Sequence, residues 1–180
     1  MESIKTTADL LSTAQIRPAV MDDAQALCSL YNFYVKSSTA SFSLKEETLE
    51  ERRNWLLNHE TQGMPVLVAD LGDRVIAFAS ISPYHSRCGY ASTVELSIYI
   101  DPVCVGKGLG KTLLDRLVEL ANDRFHALVA LICSENEASI KLFASRDFVV
   151  AGELKEVGYK FDRYLDVTFM ERLVKPRQSK

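Results

Sequence analysis

The sequence predicts a single α/β (α+β) domain, and three observations indicate this fold class. Short apolar runs of strand length alternate along the chain with longer runs that have the periodicity of helices. No low-complexity linker or internal repeat separates these runs. A length of 180 residues with 47% hydrophobic residues also suits one compact core. We therefore expect one domain over residues 15–174, with a flexible segment at 1–14 and a flexible tail at 175–180.

The composition argues against several classes of protein. The 21 basic and 24 acidic residues give a formal charge of -3, which provides no positive field for a nucleic acid. The 4 cysteines form no C-x-x-C pair and no histidines are spaced to complete a zinc site, so we expect reduced thiols. No secretory signal is visible, and no run approaches the roughly 20 apolar residues that cross a bilayer. We expect a cytoplasmic protein without metal, nucleic-acid or membrane partners.

The N-terminal half predicts three strands and two helices. The expected strands are residues 15–19, 65–70 and 74–82. Asp22 is the expected cap of the first helix, and Thr48 is the expected start of the second. Gly72 and Asp73 form the kind of dipeptide that closes a tight turn between two antiparallel strands. The second and third strands are therefore expected to form a hairpin.

The stretch TVELSIYID at residues 93–101 predicts a strand with two different faces. Its alternation places Val94, Leu96, Ile98 and Ile100 on one side and Thr93, Glu95, Ser97 and Tyr99 on the other. Pro102 and three spaced glycines follow, and then leucines at helical spacing from Leu109 to Leu120. Strand, glycine turn and helix are therefore expected in direct succession.

The remaining segment predicts one more helix and three strands. Residues 127–132 have the apolar character of a short strand, and residues 136–146 have the pattern of a helix. The segment that ends at Leu173 is expected to form two strands joined by the polar stretch around Gly158.

The run VGKGLGK is a candidate phosphate site. A helix start presents free backbone N–H groups and the positive end of the helix dipole, and glycines allow a pyrophosphate to approach them. The spacing matches neither the dinucleotide fingerprint nor a P-loop. The glycines alone leave two interpretations open, a phosphate cradle or an ordinary strand-to-helix turn.

Longer runs carry a resemblance to a known family. TVELSIYIDP, GKGLGKTLLDRLVE and HALVALICSENEASIKLF resemble the acetyl-CoA-binding core of the GNAT acetyltransferases. TASF at residues 39–42, TVE at 93–95 and EVGYKFDRYLDVTFM at 156–170 are similar, more narrowly, to the phosphinothricin and methionine sulfoximine N-acetyltransferase branch. The resemblance spans about residues 16–173, and the last run is more specific than the glycines.

The resemblance implies a fold and a cofactor site. The fold is a mixed, twisted central sheet of about seven strands flanked by about four helices, splayed between the fourth and fifth strands to admit acetyl-CoA. The pantetheine would pair with backbone near residues 96–98, and the pyrophosphate would rest on amides of residues 104–109. The implied cofactor-binding residues are Leu96, Ser97, Ile98, Cys104, Val105, Gly106, Lys107, Gly108, Leu109, Gly110, Lys111 and Asn136. Asn136 can also cap the helix that follows, and the two roles are compatible. Val105 departs from the Arg or Gln of relatives, which removes a side-chain contact to the pyrophosphate.

The candidate catalytic residue is Glu95. An amine with a pKa near 10 must lose a proton before it attacks, at a cost of roughly 4 kcal/mol at neutral pH. Glu95 lies on the polar face of its strand and matches the glutamate of the family's TVE motif, so it can act as the base directly or through a water. Its alternative role is that of a solvated strand residue. Phe143 stands where relatives have a Tyr or His that protonates the CoA thiolate, which leaves Tyr99, water or unassisted departure for that step.

The acceptor implied by the resemblance is a small amino-acid-like amine. The implied substrate-binding residues are Phe42, His85, Arg87, Tyr90, Thr93, Lys160 and Phe161. Ala91 replaces an arginine common in this branch, and Arg87 or His85 can substitute for it at a substrate carboxylate. Two other hypotheses stay open: another amine as acceptor, such as a polyamine, an aminoglycoside or a protein N-terminus, or a CoA-binding module without catalysis. The resemblance also implies a homodimer.

Overall fold

The computed structural model describes residues 14–174. The segments expected to be flexible, 1–14 and 175–180, lie outside this range except for Ala14. Within it the strands are β1 (Gln15–Pro18), β2 (Val66–Asp70), β3 (Val75–Pro83), β4 (Thr93–Ile100), β5 (Ala127–Cys133), β6 (Val149–Lys160) and β7 (Arg163–Leu173). The α-helices in the same range are α1 (Ala24–Ser37), α2 (Leu49–Thr61), α3 (Leu109–Ala121) and α4 (Glu137–Ala144).

The strands form one mixed sheet with helices on both faces. Its order is β1-β2-β3-β4-β5-β7-β6, and every neighbouring pair is antiparallel except β4 and β5. On one face α3 buries Leu113, Leu114 and Leu117 against the sheet. On the other face α1 and α2 pack Leu27 and Leu56 against strand residues. The predicted fold, with seven strands and four α-helices in the described range, is confirmed.

The sheet opens between β4 and β5. The two strands pair at only three positions, the last being Glu95 with Val129. Beyond that point β4 continues along β3 as far as Ile100, while β5 continues along β7 as far as Cys133. The predicted splay between the fourth and fifth strands is therefore confirmed, and it starts directly after Glu95.

The start of α1 corrects one prediction. A 3-10 turn over Met21–Asp23 precedes the helix, so Asp23, and not the exposed Asp22, occupies the cap position. The Asp23 carboxylate accepts from Val20 N–H at 2.8 Å and pairs with the Arg17 guanidinium, which lowers its pKa. The cap at α2 is as predicted, because the Thr48 hydroxyl accepts from Glu51 N–H.

The hairpin of β6 and β7 corrects a second prediction. The two strands are joined at Phe161 and Asp162, which both have positive φ, the backbone of a tight hairpin turn. Gly158 lies inside β6, next to an irregularity in its pairing with β7. A Cβ atom at Gly158 would lie 2.2 Å from Cε1 of Phe42, so the glycine permits close contact with that ring. Phe-Asp is not a typical turn dipeptide, which is why the polar stretch misled the prediction.

Candidate functional site

The backbone of β4 faces the cleft where the sheet opens. Asp101 N–H donates to Ile76 O at 2.7 Å, which sets the phase of the β3–β4 ladder. Since hydrogen bonds alternate along an antiparallel ladder, odd-numbered residues of β4 bond to β3 and even-numbered residues face β5. Ser92 O, which accepts from His126 N–H, follows this rule. The pair Glu95–Val129 uses the N–H of Leu96, which bonds to Val129 O. The C=O of Leu96 and both backbone groups of Ile98 therefore point into the cleft and can pair with an extended amide ligand.

A long cavity of about 860 Å³ runs from this edge to the start of α3. It is lined by Tyr34, Ser38, Thr39, Ala40, Ile98, Ile100, Val105, Gly106, Gly108, Gly110, Lys111, Glu135, Asn136, Ala138, Ser139, Lys141, Leu142, Phe143 and Ser145. We call it the cofactor cavity. It contains both predicted parts of a CoA site, the parted strand and the glycine turn.

The glycine turn presents unused backbone amides. Gly106 and Gly108 have φ of 78° and 89°, a region that residues with a Cβ rarely adopt. Within the described chain, the N–H groups of residues 106–110 find no acceptor, whereas Lys111 N–H bonds to Gly108 O at 3.0 Å. Five consecutive free amides at a helix start fit a pyrophosphate, which favours the cradle interpretation of this sequence over the ordinary turn.

Three residues predicted in the cofactor site have other contacts. Cys104 is buried in the core and its N–H donates to Asp101 O at 2.7 Å, so its amide is not available to a phosphate. Val105 lines the cavity, but its N–H is directed to Pro102 O at 3.4 Å. The Lys107 ammonium donates to Val103 O at 2.6 Å. The run of unbonded amides therefore begins at Gly106, two residues after the predicted start at Cys104, because a 3-10 turn over Pro102–Cys104 uses the earlier amides.

A second cavity, of about 440 Å³, adjoins the first and holds Glu95. Its lining is Tyr31, Ala40, Ser41, Phe42, Ser43, Glu95, Leu96, Ser97, Ile98, Tyr99, Leu131, Ile132, Cys133, Asn136, Ser139 and Phe143. We call it the acceptor cavity. Of these lining residues, Glu95 alone has a side chain that carries a formal charge at neutral pH. The cavity is therefore suited to a cationic or amine group.

Glu95 lies where a general base would be needed. It lies half-buried on β4 at the last pair with β5, where the cleft opens. Burial raises the pKa of its carboxyl group, because the charged form loses hydration. A carboxylate with a raised pKa binds a proton more strongly than an exposed glutamate, which is the property required of a general base.

Two side chains lie at the junction of the cavities. Asn136 caps α4, since its Oδ1 accepts from Ser139 N–H at 3.1 Å, and it also lines both cavities. One position is thus compatible with both roles expected of it, the helix cap and the residue beside the cofactor. Phe143 also lines both cavities and packs edge-on against Phe148. It has no proton to donate. Tyr99 lines the acceptor cavity, where burial raises its pKa and keeps the phenol protonated.

The predicted substrate residues separate into two groups. Phe42 lines the acceptor cavity. The other predicted residues, His85, Arg87, Tyr90, Thr93, Lys160 and Phe161, are not among its lining residues. His85, Arg87 and Tyr90 are exposed in the loop that connects β3 to β4, close in sequence to Glu95. Lys160 is buried and bonded to backbone, and Phe161 is exposed at the hairpin turn.

Sequence reasoning missed a group of hydroxyls in the acceptor cavity. Ser41 Oγ donates to Tyr31 Oη at 3.1 Å, and Tyr31 Oη lies 2.7 Å from Ser43 Oγ. Ser139 adds a further hydroxyl from α4. In the sequence, Tyr31 belongs to the apolar pattern of a helix, which indicates packing and gives no sign of a site. Serines in a loop have no periodic pattern that would single them out. Only the TASF run, which contains Ser41, pointed to this region.

Neither a metal site nor a membrane span is found in the described chain. In residues 14–174 no group of three or more His, Cys, Asp or Glu side chains is placed to hold a metal ion. Among the helices of that range, none has the length and apolar character needed to cross a membrane.

Comparisons with known proteins agree with this geometry. Residues 16–169 match the family model described as acetyltransferase (GNAT) domain. The chain is 38% identical over 162 residues to a phosphinothricin N-acetyltransferase of Streptomyces coelicolor, covering 88% of this chain and 95% of that protein. It is 37% identical over 169 residues to an L-methionine sulfoximine/L-methionine sulfone acetyltransferase of Pseudomonas aeruginosa, covering 93% and 98%. A GNAT superfamily phosphinothricin acetyltransferase from Sinorhizobium meliloti, solved with acetyl-CoA, superposes with a TM-score of 0.87 at 32% identity, covering 90% of this chain and 89% of that one.

Proposed function

The chain belongs to the acetyltransferase (GNAT) family, and from this premise we propose that its acceptor is the primary amine of a small amino-acid-like molecule of the phosphinothricin or methionine sulfoximine type. It is an acetyl-CoA-dependent N-acetyltransferase. The observation that carries the proposal is the position of Glu95, a desolvated carboxylate in a small cavity that opens into the cofactor cavity.

The cofactor cavity fits acetyl-CoA through this chain's own groups. The free amides of residues 106–110 would hold the pyrophosphate, and the backbone of Leu96 and Ile98 would hold the pantetheine. Acetyl-CoA supplies an acetyl group on a thioester. The cleft-facing N–H of Ile98 would donate to the thioester oxygen and stabilise the charge it gains during attack. Holding the acetyl group at the junction places it beside the acceptor cavity.

Glu95 would prepare the amine. An alkylammonium ion is neutralised at pH 7 at a cost of roughly 4 kcal/mol, so a base must take its proton before or during attack. Glu95 carries the negative charge in the acceptor cavity and would take that proton directly or through a water. For the departing thiolate, Tyr99 and Ser139 are hydroxyl donors in the same cavity. A thiol pKa of about 8.5 also allows departure without assistance.

The carboxylate of an amino-acid acceptor would need a cationic side chain that is not among the residues lining the acceptor cavity. Arg87 and His85 lie in the loop between β3 and β4, and an arginine fork suits a carboxylate. Relatives carry an arginine where this chain has Ala91, and a side chain of this loop would replace it. Arg87 or His85 would therefore bind the carboxylate after a movement of the exposed loop.

A homodimer is part of the proposal. An apolar hollow of about 370 Å³ on the outer side of the β6–β7 hairpin is lined by Phe42, Leu44, Leu131, Leu154, Val157, Gly158, Tyr159, Val167 and Phe169. Leu154 and Val157 are 48% and 55% exposed, on an edge strand of the sheet. Contiguous exposed apolar groups of this kind favour an interface. Phe42 and Leu131 also line the acceptor cavity, so a second copy on this surface would close that cavity.

A panel of amines tests the acceptor. Purified protein with acetyl-CoA is expected to release free thiol with phosphinothricin, methionine sulfoximine or methionine sulfone, and to release much less with spermidine, an aminoglycoside or a peptide N-terminus. Faster release with one of the latter group would replace the proposed acceptor. Thiol release with none of them, combined with a melting temperature raised by acetyl-CoA, would favour a binding module instead.

A further inference from the structure

The loop of residues 38–43 forms the wall between the two cavities. Ser38 and Thr39 line the cofactor cavity, Ser41 and Ser43 line the acceptor cavity, and Ala40 lines both. The loop has no regular secondary structure. Within the described chain its single backbone–backbone hydrogen bond runs from Ser38 N–H to Tyr34 O at 3.1 Å. Its shape must therefore be fixed mainly by side chains.

Lys160, the last residue of β6, bonds to this loop. Its Nζ donates to Ser38 O at 2.8 Å and to Ser41 O at 2.6 Å, across more than a hundred residues of sequence. The residue is 3% exposed, and no carboxylate among residues 14–174 lies within salt-bridge distance of its ammonium. A buried ammonium with no counter-ion is costly, and its hydrogen bonds to carbonyls are charge-assisted and strong. Lys160 thus fixes both halves of the loop through two short bonds.

A second tie to the same loop is weaker. Thr39 Oγ1 donates to Glu135 Oε1 at 3.0 Å, and the Arg163 guanidinium pairs with the same carboxylate at 2.7 Å. The side chains of Arg163 and Glu135 are 52% and 43% exposed. Exposed ion pairs contribute little because water screens them, so Lys160 must hold the loop more firmly than Arg163 does.

The loop positions groups that face the acceptor. Ser41 Oγ donates to Tyr31 Oη, which also contacts Ser43 Oγ, so Ser41 and Ser43 of the loop form one hydrogen-bonded group with Tyr31 of α1. Phe42 beside them packs onto Gly158 of the same hairpin. The loop supplies four of the 16 residues that line the acceptor cavity and three of the 19 that line the cofactor cavity. Loosening the loop should therefore affect the acceptor cavity more than the cofactor cavity.

We propose that Lys160 is a positioning residue that fixes the loop of residues 38–43 against the β6–β7 hairpin and thereby sets the shape of the acceptor cavity. It does not contact the acceptor. The effect on acceptor binding rests on the proposed function, whereas the effect on the loop does not. The most specific run in the sequence, EVGYKFDRYLDVTFM, then has a role in holding the loop that forms the site.

Hydrogen exchange and kinetics of matched variants test this proposal. In Lys160→Met the amides of Ala40 and Ser43, which donate to the hydroxyls of Ser38 and Ser41, are expected to exchange about tenfold faster than in the wild type, since the bonds that hold Ser38 O and Ser41 O are lost. The acceptor KM is expected to rise about tenfold, with the acetyl-CoA KM changed less than about threefold. Arg163→Gln, from the same hairpin, is expected to stay within about twofold of the wild type in all three quantities.

Two results would overturn the proposal. Wild-type exchange at Ala40 and Ser43 in Lys160→Met would show that the ammonium does not hold the loop. An unchanged acceptor KM with faster exchange would show that the loop does not shape the cavity. If Lys160→Met does not fold, Lys160→Arg, which keeps the charge and the donors, must retain slow exchange, while Lys160→Gln must lose it. If no amine is turned over, the exchange result still decides the role of Lys160, and the failure belongs to the proposed function.

Discussion

At the scale of single residues, Glu95 links the fold to the chemistry. It is the last β4 residue that pairs with β5, so the strand fixes its backbone while its side chain faces the acceptor cavity. The same burial that raises its pKa also makes it costly to ionise. Activity and stability should therefore respond to this carboxyl group in opposite directions.

Glu95→Gln should lower kcat/KM by about 10²- to 10⁴-fold at neutral pH, because the amine then keeps its proton. In the wild type, kcat/KM should rise with pH through the raised pKa of Glu95, since only the carboxylate accepts a proton. The loss should shrink at high pH, where the amine is already neutral. A pH–rate profile of the variant with the same shape as the wild type would remove Glu95 from the base role. Glu119→Gln, at an exposed side chain, is the control and should match the wild type.

The thermal stability of the same variant should change with the opposite sign. A carboxyl group whose pKa is raised by folding binds its proton more tightly in the folded state, so stability falls as pH rises through the raised value. Glu95→Gln removes this cost and should melt at a higher temperature than the wild type at about pH 8. Towards about pH 4, where Glu95 is protonated in the wild type, the two melting curves should converge. A variant that melts lower at pH 8 would contradict the desolvation of Glu95.

The sequence predicted some residues of the site better than others. Strict alternation in residues 93–101 was enough to place Glu95 on the polar face of a strand, since the side-chain period of a strand is two. Tyr31, Ser41 and Ser43 were missed because they come together only through the packing of a loop on α1. Lys160 was predicted in the substrate site, but its buried ammonium bonds to loop carbonyls, a contact that no local pattern reveals.

At the scale of elements, the strand–turn–helix unit from β4 to α3 builds the cofactor cavity. Gly108 precedes α3 with a positive φ, and among the described residues no atom beyond its chain neighbours lies within 4 Å of the place where its Cβ would be. A substitution there acts through backbone strain alone. The succession of strand, glycines and helix was readable from the sequence, whereas the loss of the Cys104 and Val105 amides was not, because a 3-10 turn of three residues leaves no periodic pattern.

Gly108→Ala should weaken acetyl-CoA binding by about tenfold, since an alanine at this φ costs about 1–3 kcal/mol and relaxation would rotate the free amides away from the ligand. Calorimetric titration measures the dissociation constant. Gly72→Ala is a matched control, because Gly72 also has a positive φ with open space around it, in the turn between β2 and β3. It should lose similar stability and leave the dissociation constant unchanged. Equal effects of the two variants on binding would contradict a cradle at residues 106–110.

At the scale of the whole molecule, the sheet ends in an exposed, apolar edge strand. β6 is an edge strand of 12 residues whose apolar side chains are largely exposed. Long exposed edges with apolar groups are normally covered in native proteins. The family fold was predictable from sequence because local patterns and the order of elements agree with it. The exposed face of β6 was not predictable, since alternation does not tell which side of an edge strand a helix will cover.

Leu154→Asp should convert the proposed dimer into a monomer, measured by sedimentation at micromolar concentration, because it places a charge in the apolar hollow. The monomer should bind acetyl-CoA as the dimer does but show a raised acceptor KM, since Phe42 and Leu131 belong to both the hollow and the acceptor cavity. Leu57→Asp on α2, at a site 49% exposed compared with 48% for Leu154, should leave the assembly unchanged. A wild-type protein that sediments as a monomer would refute the proposed dimer.

The arrangement of cofactor, cleft and base can be observed directly in a crystal structure of the protein with acetyl-CoA. In that structure the thioester should lie where β4 and β5 part, its oxygen should accept from the N–H of Ile98, and the pyrophosphate should contact the amides of residues 106–110. The acetyl carbon should face the acceptor cavity that holds Glu95. A ligand bound elsewhere, or a thioester directed away from Glu95, would contradict the central claim.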